Sequence, residues 1–143
     1  MVLLGDIADI TISLSDINDP PVAAVDSYNT MVREDHSIDT GKSSILSIHV
    51  TDQDPTDVLT FTIVSGNDPL YDPHYSMSTE IPGDLLLIKE LNYATQKTFA
   101  LVIMSCDASS RCVTISVTIK VQDVNEAPTF ILPDSSKARD VKL

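Results

Sequence analysis

The sequence predicts an all-β fold, a seven-strand antiparallel β-sandwich of the Greek-key kind, and two observations lead to this prediction. Short segments alternate apolar and polar residues with a period of two, and turns containing Gly, Pro, Asn or Asp separate them. No segment of the chain predicts a helix. Several short strands spaced by turns are typical of a two-sheet antiparallel sandwich.

The predicted strands follow one another between residues 28 and 121. They are Tyr28 to Arg33, Ile45 to Thr51, Val58 to Val64, Tyr75 to Thr79, Leu85 to Lys89, Phe99 to Ser105 and Val113 to Val121. The last two form a long hairpin, in which the odd-numbered residues of the final strand face one way. Residues 91–96 are expected to be a polar crossing between strands.

An acidic motif occurs twice and divides the chain. Asp16-Ile17-Asn18-Asp19-Pro20-Pro21 and Asp123-Val124-Asn125-Glu126-Ala127-Pro128 start 107 residues apart, and an alternating apolar segment precedes each. This is an internal repeat. Residues 1–19 are therefore predicted to be the last strand of a preceding repeat plus a linker, residues 20–126 a complete repeat, and residues 127–143 the start of the next linker and a disordered tail.

The charge of the chain narrows the possible partners. The 143 residues carry 21 acidic and 9 basic side chains, a formal net charge of −12. Phosphate binding needs clustered Lys and Arg, so a nucleic-acid partner is not expected. Cations are the natural counterpart, although an acidic excess that only keeps the domain soluble stays open as an alternative. No apolar run is long enough to span a membrane, so any membrane attachment is expected outside this sequence.

The sequence lacks the residue patterns that are typical of enzyme active sites. His36, His49 and His74 are scattered without the spacing of a zinc site, and no Gly-x-Ser-x-Gly motif occurs. The chain is not expected to be an enzyme.

Oxygen-bearing side chains gather in three segments that a seven-strand sandwich brings to one pole. Ca²⁺ takes six to eight oxygen ligands, so its site needs carboxylates and carbonyls from several loops. The candidate ligands come from the first acidic motif, the loop after the second strand and the last hairpin loop: Asp16, Asn18, Asp19, Asp52, Asp54 and Asp107. Without a cation these carboxylates would repel one another. The alternative for the Asp52–Asp54 segment alone is an ordinary acidic turn.

In order along the chain, these residues resemble the cadherin repeat over roughly residues 20–128 and the strand before. The family pattern has an Asp-x-Asn-Asp connector followed by proline, an early Glu, an Asp-x-Asp after the second strand, a Leu-Asp-x-Glu crossing and a late Asp in the final hairpin. The matching positions are Asp16, Asn18, Asp19, Glu34, Asp52, Asp54, Leu91 to Ala94, Asp107, Asp123, Asn125 and Glu126. Asp57 stands where the family often has an Asn.

The resemblance implies extracellular repeats joined end to end, with calcium at each junction stiffening the rod. It also implies partners: the neighbouring cadherin repeats of the same chain, and another cadherin in cis or in trans. The protein would reach the plasma membrane only through a transmembrane segment outside this fragment.

The departures from the family pattern fall at the C-terminal end. Asn92 replaces an Asp and Ala94 a Glu of the crossing motif, and Glu126 replaces the last Asp of the connector. The C-terminal junction therefore keeps four candidate ligands: Glu34, Asp123, Asn125 and Glu126. We expect it to bind fewer calcium ions, or to bind them more weakly, and to bend more readily.

Cys106 and Cys112 flank the last hairpin loop, either as a disulfide or as two unpaired thiols. The extracellular location that the resemblance implies favours the disulfide. Two other functions stay open. One is a ligand-binding module that uses the face from Asn67 to Tyr75, including Tyr71, and the other is a calcium-free structural repeat.

Overall fold

A computed structural model describes residue 5 and residues 9–38, 43–67, 73–125 and 127–128. These residues form nine β-strands and no helix, which confirms the predicted all-β sandwich. The strands are β1 (Val22–Ala23), β2 (Ser27–Arg33), β3 (Ser44–Ser47), β4 (Val50–Thr51), β5 (Thr60–Ser65), β6 (Tyr75–Met77), β7 (Asp84–Leu87), β8 (Thr98–Cys106) and β9 (Cys112–Gln122). Among them, no helix is long and apolar enough to cross a membrane.

The strands form two main sheets that pack face to face. One has the order β2-β9-β8-β5 and the other the order β3-β7-β6, while β1 pairs with β4 alone. The pairing is antiparallel except between β2 and β9, which run parallel in register from Ser27↔Ser116 to Arg33↔Gln122. The prediction of a wholly antiparallel sheet is thus wrong at this pair, because the strand after the connector runs in the same direction as the last strand, from the N-terminal to the C-terminal pole.

The predicted second strand is divided into β3 and β4, which belong to different sheets. Between them the amide of Ile48 donates a hydrogen bond of 2.9 Å to the carbonyl oxygen of Gly83. Gly83 has a φ of +90°, and a Cβ at this residue would lie 2.4 Å from the Ile48 carbonyl oxygen. Only glycine fits this close approach without strain. Alternation in sequence continues through the break, so the sequence pattern could not indicate it.

The hydrophobic core lies between the two main sheets. Alternate residues of β8 and β9 point into it, and the opposite sheet covers them with β6 and β7. Its fully buried large side chains are Tyr75, Leu85, Leu87, Leu101, Ile103, Ile115, Val117 and Ile119. The strong period-two pattern of the last hairpin is therefore the inner face of the central strand pair.

The described residues of the segment that precedes the first connector do not form the predicted strand. Residues 9–19 contain no strand, and Ile10 and Leu14 are 83% and 94% exposed. By the internal repeat this segment corresponds to β9, which lies between β2 and β8. In the described part of the chain β2 and β8 already pair with β9, so residues 9–15 have no neighbouring strand with which to pair. Residues 6–8, Glu126 and most of the predicted tail lie outside the described residues.

A disulfide joins Cys106 and Cys112, the last residue of β8 and the first of β9. The two cysteines face each other across the ladder, with their Cα atoms 4.1 Å apart. The disulfide predicted across the mouth of this hairpin is therefore present, and it fixes the ends of the loop that carries Asp107.

Tyr75 and Tyr28 allow a matched test of this packing. The Tyr75 hydroxyl is buried and has no hydrogen-bond partner among the described residues, and burial raises the pKa of Tyr75. We expect Tyr75→Phe to raise the free energy of unfolding by about 1 kcal/mol, because it removes an unsatisfied polar group. Tyr28 accepts a 3.1 Å hydrogen bond from the His49 amide, so Tyr28→Phe should lower this free energy by about 1 kcal/mol. Urea unfolding of both variants measures the difference, and a loss of stability in Tyr75→Phe would contradict this description.

Candidate metal centre

The connector, the loop after β4 and the β8–β9 turn meet at the N-terminal pole of the sandwich. The Asn18 side-chain amide donates a 2.9 Å hydrogen bond to Asp107 Oδ2. The Asp19 backbone amide donates a 2.7 Å hydrogen bond to Asp54 Oδ2. These two contacts, each between residues far apart in sequence, bring together four of the six residues predicted for this pole.

The loop after β4 folds back on itself through its own acidic residues. Asp52 Oδ1 accepts a 3.0 Å hydrogen bond from the Asp54 amide, and the Asp54 carbonyl oxygen accepts one of 3.1 Å from the Asp57 amide. Asp side chains commonly stabilise turns in this way. The result is that Asp52 and Asp57 lie on the same side of the turn, toward Asp107.

Asp107 is held rigidly at the base of the β8–β9 turn. It is 5% exposed, and its Oδ1 accepts a 2.8 Å hydrogen bond from the Arg111 amide. Burial acts to raise the pKa of Asp107, but hydrogen bonds from Asn18 and from the amides of Arg111 and Ser109 outweigh it and lower the pKa. Asp107 is therefore charged in the folded protein.

Three carboxylates converge at this pole. One oxygen from each of Asp52, Asp57 and Asp107 lies within 4.8 Å of the other two. Burial, and then the negative charges of Asp107, Asp52 and Asp54, raise the pKa of Asp57. Among the described residues, Asp52 Oδ2 and Asp57 Oδ2 are buried without a hydrogen-bond partner. Unsatisfied anionic oxygens at this spacing suit a hard cation such as Ca²⁺.

The geometry separates the predicted residues into different positions. Asp52 and Asp107 belong to the three-carboxylate cluster, whereas the side chains of Asn18 and Asp54 form hydrogen bonds that bind the loops together. Asp16 is exposed, and its Oδ1 accepts a hydrogen bond from the neighbouring amide of Ile17.

Asp57 was predicted only as a substitute for a family Asn, yet it is one of the three carboxylates of the cluster. The sequence feature that could have identified Asp57 as a candidate ligand is its position in the same acidic loop, five residues after Asp52.

Glu34 organises the opposite, C-terminal pole. Its Oε2 accepts a 2.8 Å hydrogen bond from the Tyr93 amide, and its Oε1 accepts one of 2.8 Å from the Val124 amide. These bonds, from Tyr93 first and Val124 second, lower the pKa of Glu34. The carboxylate thus connects the end of β2 to the 92–97 crossing and to the second connector.

A cleft of about 490 Å³ opens beside Glu34. Three predicted ligands line it: Glu34, Asp123 and Asn125. Asn92 and Ala94, the two departures from the crossing motif, also line it, together with Tyr93, Lys97 and Val124. Lys97 Nζ lies 4.7 Å from the centroid of the Tyr93 ring. Glu126 lies outside the described residues.

Repulsion within the three-carboxylate cluster can be measured through Asp57→Asn. A raised pKa in the folded state means that ionisation of Asp57 opposes folding as pH rises through that pKa. Without divalent cations at pH 7, we expect Asp57→Asn to raise the melting temperature, and the gain should vanish at low pH, where Asp57 is protonated in both folded and unfolded protein.

Glu80→Gln is the control for this substitution, because it removes one exposed negative charge elsewhere. Differential scanning calorimetry in EDTA measures both variants. A lower melting temperature for Asp57→Asn than for Glu80→Gln at pH 7 would show that the cluster is not under electrostatic strain.

Comparison with known proteins identifies the repeat. No protein-family profile matches the chain. Protocadherin-16 from Rattus norvegicus is 34% identical over 128 residues, which is 86% of this chain and 4% of that protein. The human desmocollin-1 ectodomain is 29% identical with a TM-score of 0.65, over 78% of this chain and 23% of that one. The protocadherin γB4 extracellular domain has a TM-score of 0.67 and 23% identity, over 78% of this chain and 17% of that one.

The chain spans about 4% of the length of this curated relative. Its relatives and structural neighbours are cadherin ectodomains, which are not enzymes, and this supports the expectation that the chain has no catalytic activity. The same similarity supports an extracellular location. The strand order, the core and these comparisons agree that the chain contains an extracellular cadherin repeat and belongs to the cadherin superfamily.

Proposed function

We propose that this repeat is part of an extracellular adhesion rod and that calcium at its N-terminal pole fixes its orientation to the preceding repeat. The observation that carries the proposal is the pair of buried, unpartnered carboxylate oxygens on Asp52 and Asp57, close to Asp107. A buried anionic oxygen without a partner is costly, so a cation at this position would stabilise the folded pole.

The residues that would hold calcium come from two loops of the sandwich. Asp52, Asp57 and Asp107 supply carboxylates, and the ion would supply the positive charge that offsets their repulsion. Asn18 and Asp19 already bond to Asp107 and Asp54, so the connector lies directly against this cluster. A rigid cluster would therefore also fix the direction in which the chain enters β1. Asp16 would add a ligand from the side of the preceding repeat.

The C-terminal junction is proposed to bind calcium weakly and to bend more readily. Ala94 supplies no ligand, and both oxygens of Glu34 already accept backbone hydrogen bonds. Asp123 and Asn125 line the cleft beside it, with Glu126 as a further candidate from the sequence. Fewer carboxylates mean a weaker calcium site, since ligand charge sets calcium affinity.

In this proposal the partners are other cadherin repeats. Neighbouring repeats of the same chain would meet both poles, and another cadherin would bind in cis or in trans. Attachment to the plasma membrane would come from a transmembrane segment elsewhere in the parent protein.

The contacts do not favour the alternative of a ligand-binding face at residues 67–75. Tyr75 is 1% exposed and packs edge-on against Phe99, with ring centroids 5.2 Å apart. The Asn67 side chain bonds to the backbone of His74 and Tyr75. Tyr75 is thus a core residue, which removes it from the ligand-binding face of that alternative, whereas Tyr71 lies outside the described residues.

Calcium titration by calorimetry tests the proposal. We expect the 143-residue chain to bind calcium and Asp52→Asn to weaken binding roughly tenfold or more, because it removes one charge from the cluster. Glu80→Gln, which removes an exposed charge away from the cluster, should bind as the natural chain does. No heat of binding from the natural chain, or equal affinities for Asp52→Asn and Glu80→Gln, would favour the calcium-free structural repeat.

A further inference from the structure

The C-terminal cleft contains a cation of its own. We propose that Lys97 is a specificity-determining residue that disfavours divalent cations in this cleft, so that the C-terminal junction binds calcium more weakly than the N-terminal one. This inference rests on the proposed function, because it concerns how the two junctions of the repeat differ.

The first support is the position of Lys97. Its ammonium nitrogen lies over the Tyr93 ring, 4.7 Å from the centroid, which is within the range of a cation–π contact. The Tyr93 amide is bonded to Glu34, and the Lys97 carbonyl oxygen accepts a 2.9 Å hydrogen bond from the Val121 amide. The backbone and the side chain of Lys97 are therefore both placed at the wall of the cleft.

The second support is that, among the described residues, no side-chain oxygen lining this cleft is buried without a hydrogen-bond partner. Glu34 accepts one backbone hydrogen bond at each oxygen. Asn92 Oδ1 accepts a 3.1 Å hydrogen bond from the Thr95 amide. At the N-terminal pole, in contrast, Asp52 Oδ2 and Asp57 Oδ2 are buried and unsatisfied. Among the described residues, buried carboxylate oxygens without a hydrogen-bond partner therefore occur at the N-terminal pole and not at the C-terminal pole.

The third support is the balance of charged side chains in the cleft lining. The C-terminal cleft is lined by two carboxylates, Glu34 and Asp123, and by the ammonium of Lys97. A divalent cation that entered would be repelled by this ammonium. Lys97 is exposed, so the repulsion acts through a solvent-accessible cleft and is strongest at low ionic strength. Arg33, the other cation near the end of β2, is engaged in an exposed 2.7 Å ion pair with Asp35.

A nuclear magnetic resonance titration of the 143-residue chain with CaCl₂ follows the two poles separately. The amides of Asp19 and Arg111 donate to N-terminal carboxylates, and those of Tyr93 and Val124 donate to Glu34. We expect the first pair to shift with calcium and the second pair to stay unchanged over the same range. Failure of Asp19 and Arg111 to shift would refute the proposed function, and it would not by itself bear on Lys97.

The role of Lys97 is tested in a variant that restores the family carboxylates, Asn92→Asp with Ala94→Glu. Asp at 92 can still accept the Thr95 hydrogen bond, and residue 94 is exposed, so we expect this variant to fold. Adding Lys97→Gln should tighten calcium binding about tenfold, read from Tyr93 and Val124, as expected when ligand charge sets affinity.

Lys120→Gln in the same background is the matched control. It removes the same charge from an exposed residue of β9 that does not line the cleft. Equal effects of Lys97→Gln and Lys120→Gln would overturn the proposal. So would shifts of Tyr93 and Val124 in the natural chain at the calcium concentration that shifts Asp19.

Discussion

Repulsion among carboxylates that cannot move apart is the constraint on which the N-terminal pole depends. Asp107 is fixed by the hairpin turn and its disulfide, and Asp52 is fixed by the turn that it stabilises through the Asp54 amide. Asp57 is brought between them by the same turn. Backbone amides hold the carboxylates of Asp52 and Asp107, which limits how far these two side chains can rotate apart. A positive charge or a bound proton at this pole would relieve the repulsion.

The sandwich supplies the rigidity that makes this crowding possible. The β8–β9 hairpin contributes half of the buried apolar side chains, and its turn carries Asp107. The far end of β9 leads into the second connector, whose Val124 amide is held by Glu34. One strand pair therefore fixes the spacing of both poles. At one end of this strand pair lies the N-terminal pole, where two carboxylate oxygens are buried without a partner. At the other end lies the C-terminal pole, where both oxygens of Glu34 accept hydrogen bonds.

Much of this fold follows from local sequence. The long hairpin was predicted almost to the residue because its alternation is strong and both of its strands are central. The division between β3 and β4 was not predicted, since it depends on the approach of Gly83 to Ile48, residues 35 positions apart. The segment with Ile10, Ile12 and Leu14 alternates as clearly as β9 does, yet it forms no strand here. Periodicity reports which face a strand would bury, but not whether a neighbouring strand exists.

The candidate site was predictable only in part, for a similar reason. Family spacing placed Asp52 and Asp107 at one pole, but their meeting with Asp57 depends on the path of a short turn. The turn-rich residues before Tyr75 left a ligand-binding face open as an alternative, whereas the structure places Tyr75 in the core against Phe99.

Hydrogen–deuterium exchange of the 143-residue chain, with and without calcium, tests the central claim of one calcium-dependent pole most directly. Calcium should slow exchange in residues 16–19, 52–57 and 107–111, because an ion there would make these turns rigid. Exchange in residues 92–97 and 123–125 should not change. Equal protection at both poles, or none at either, would contradict the account.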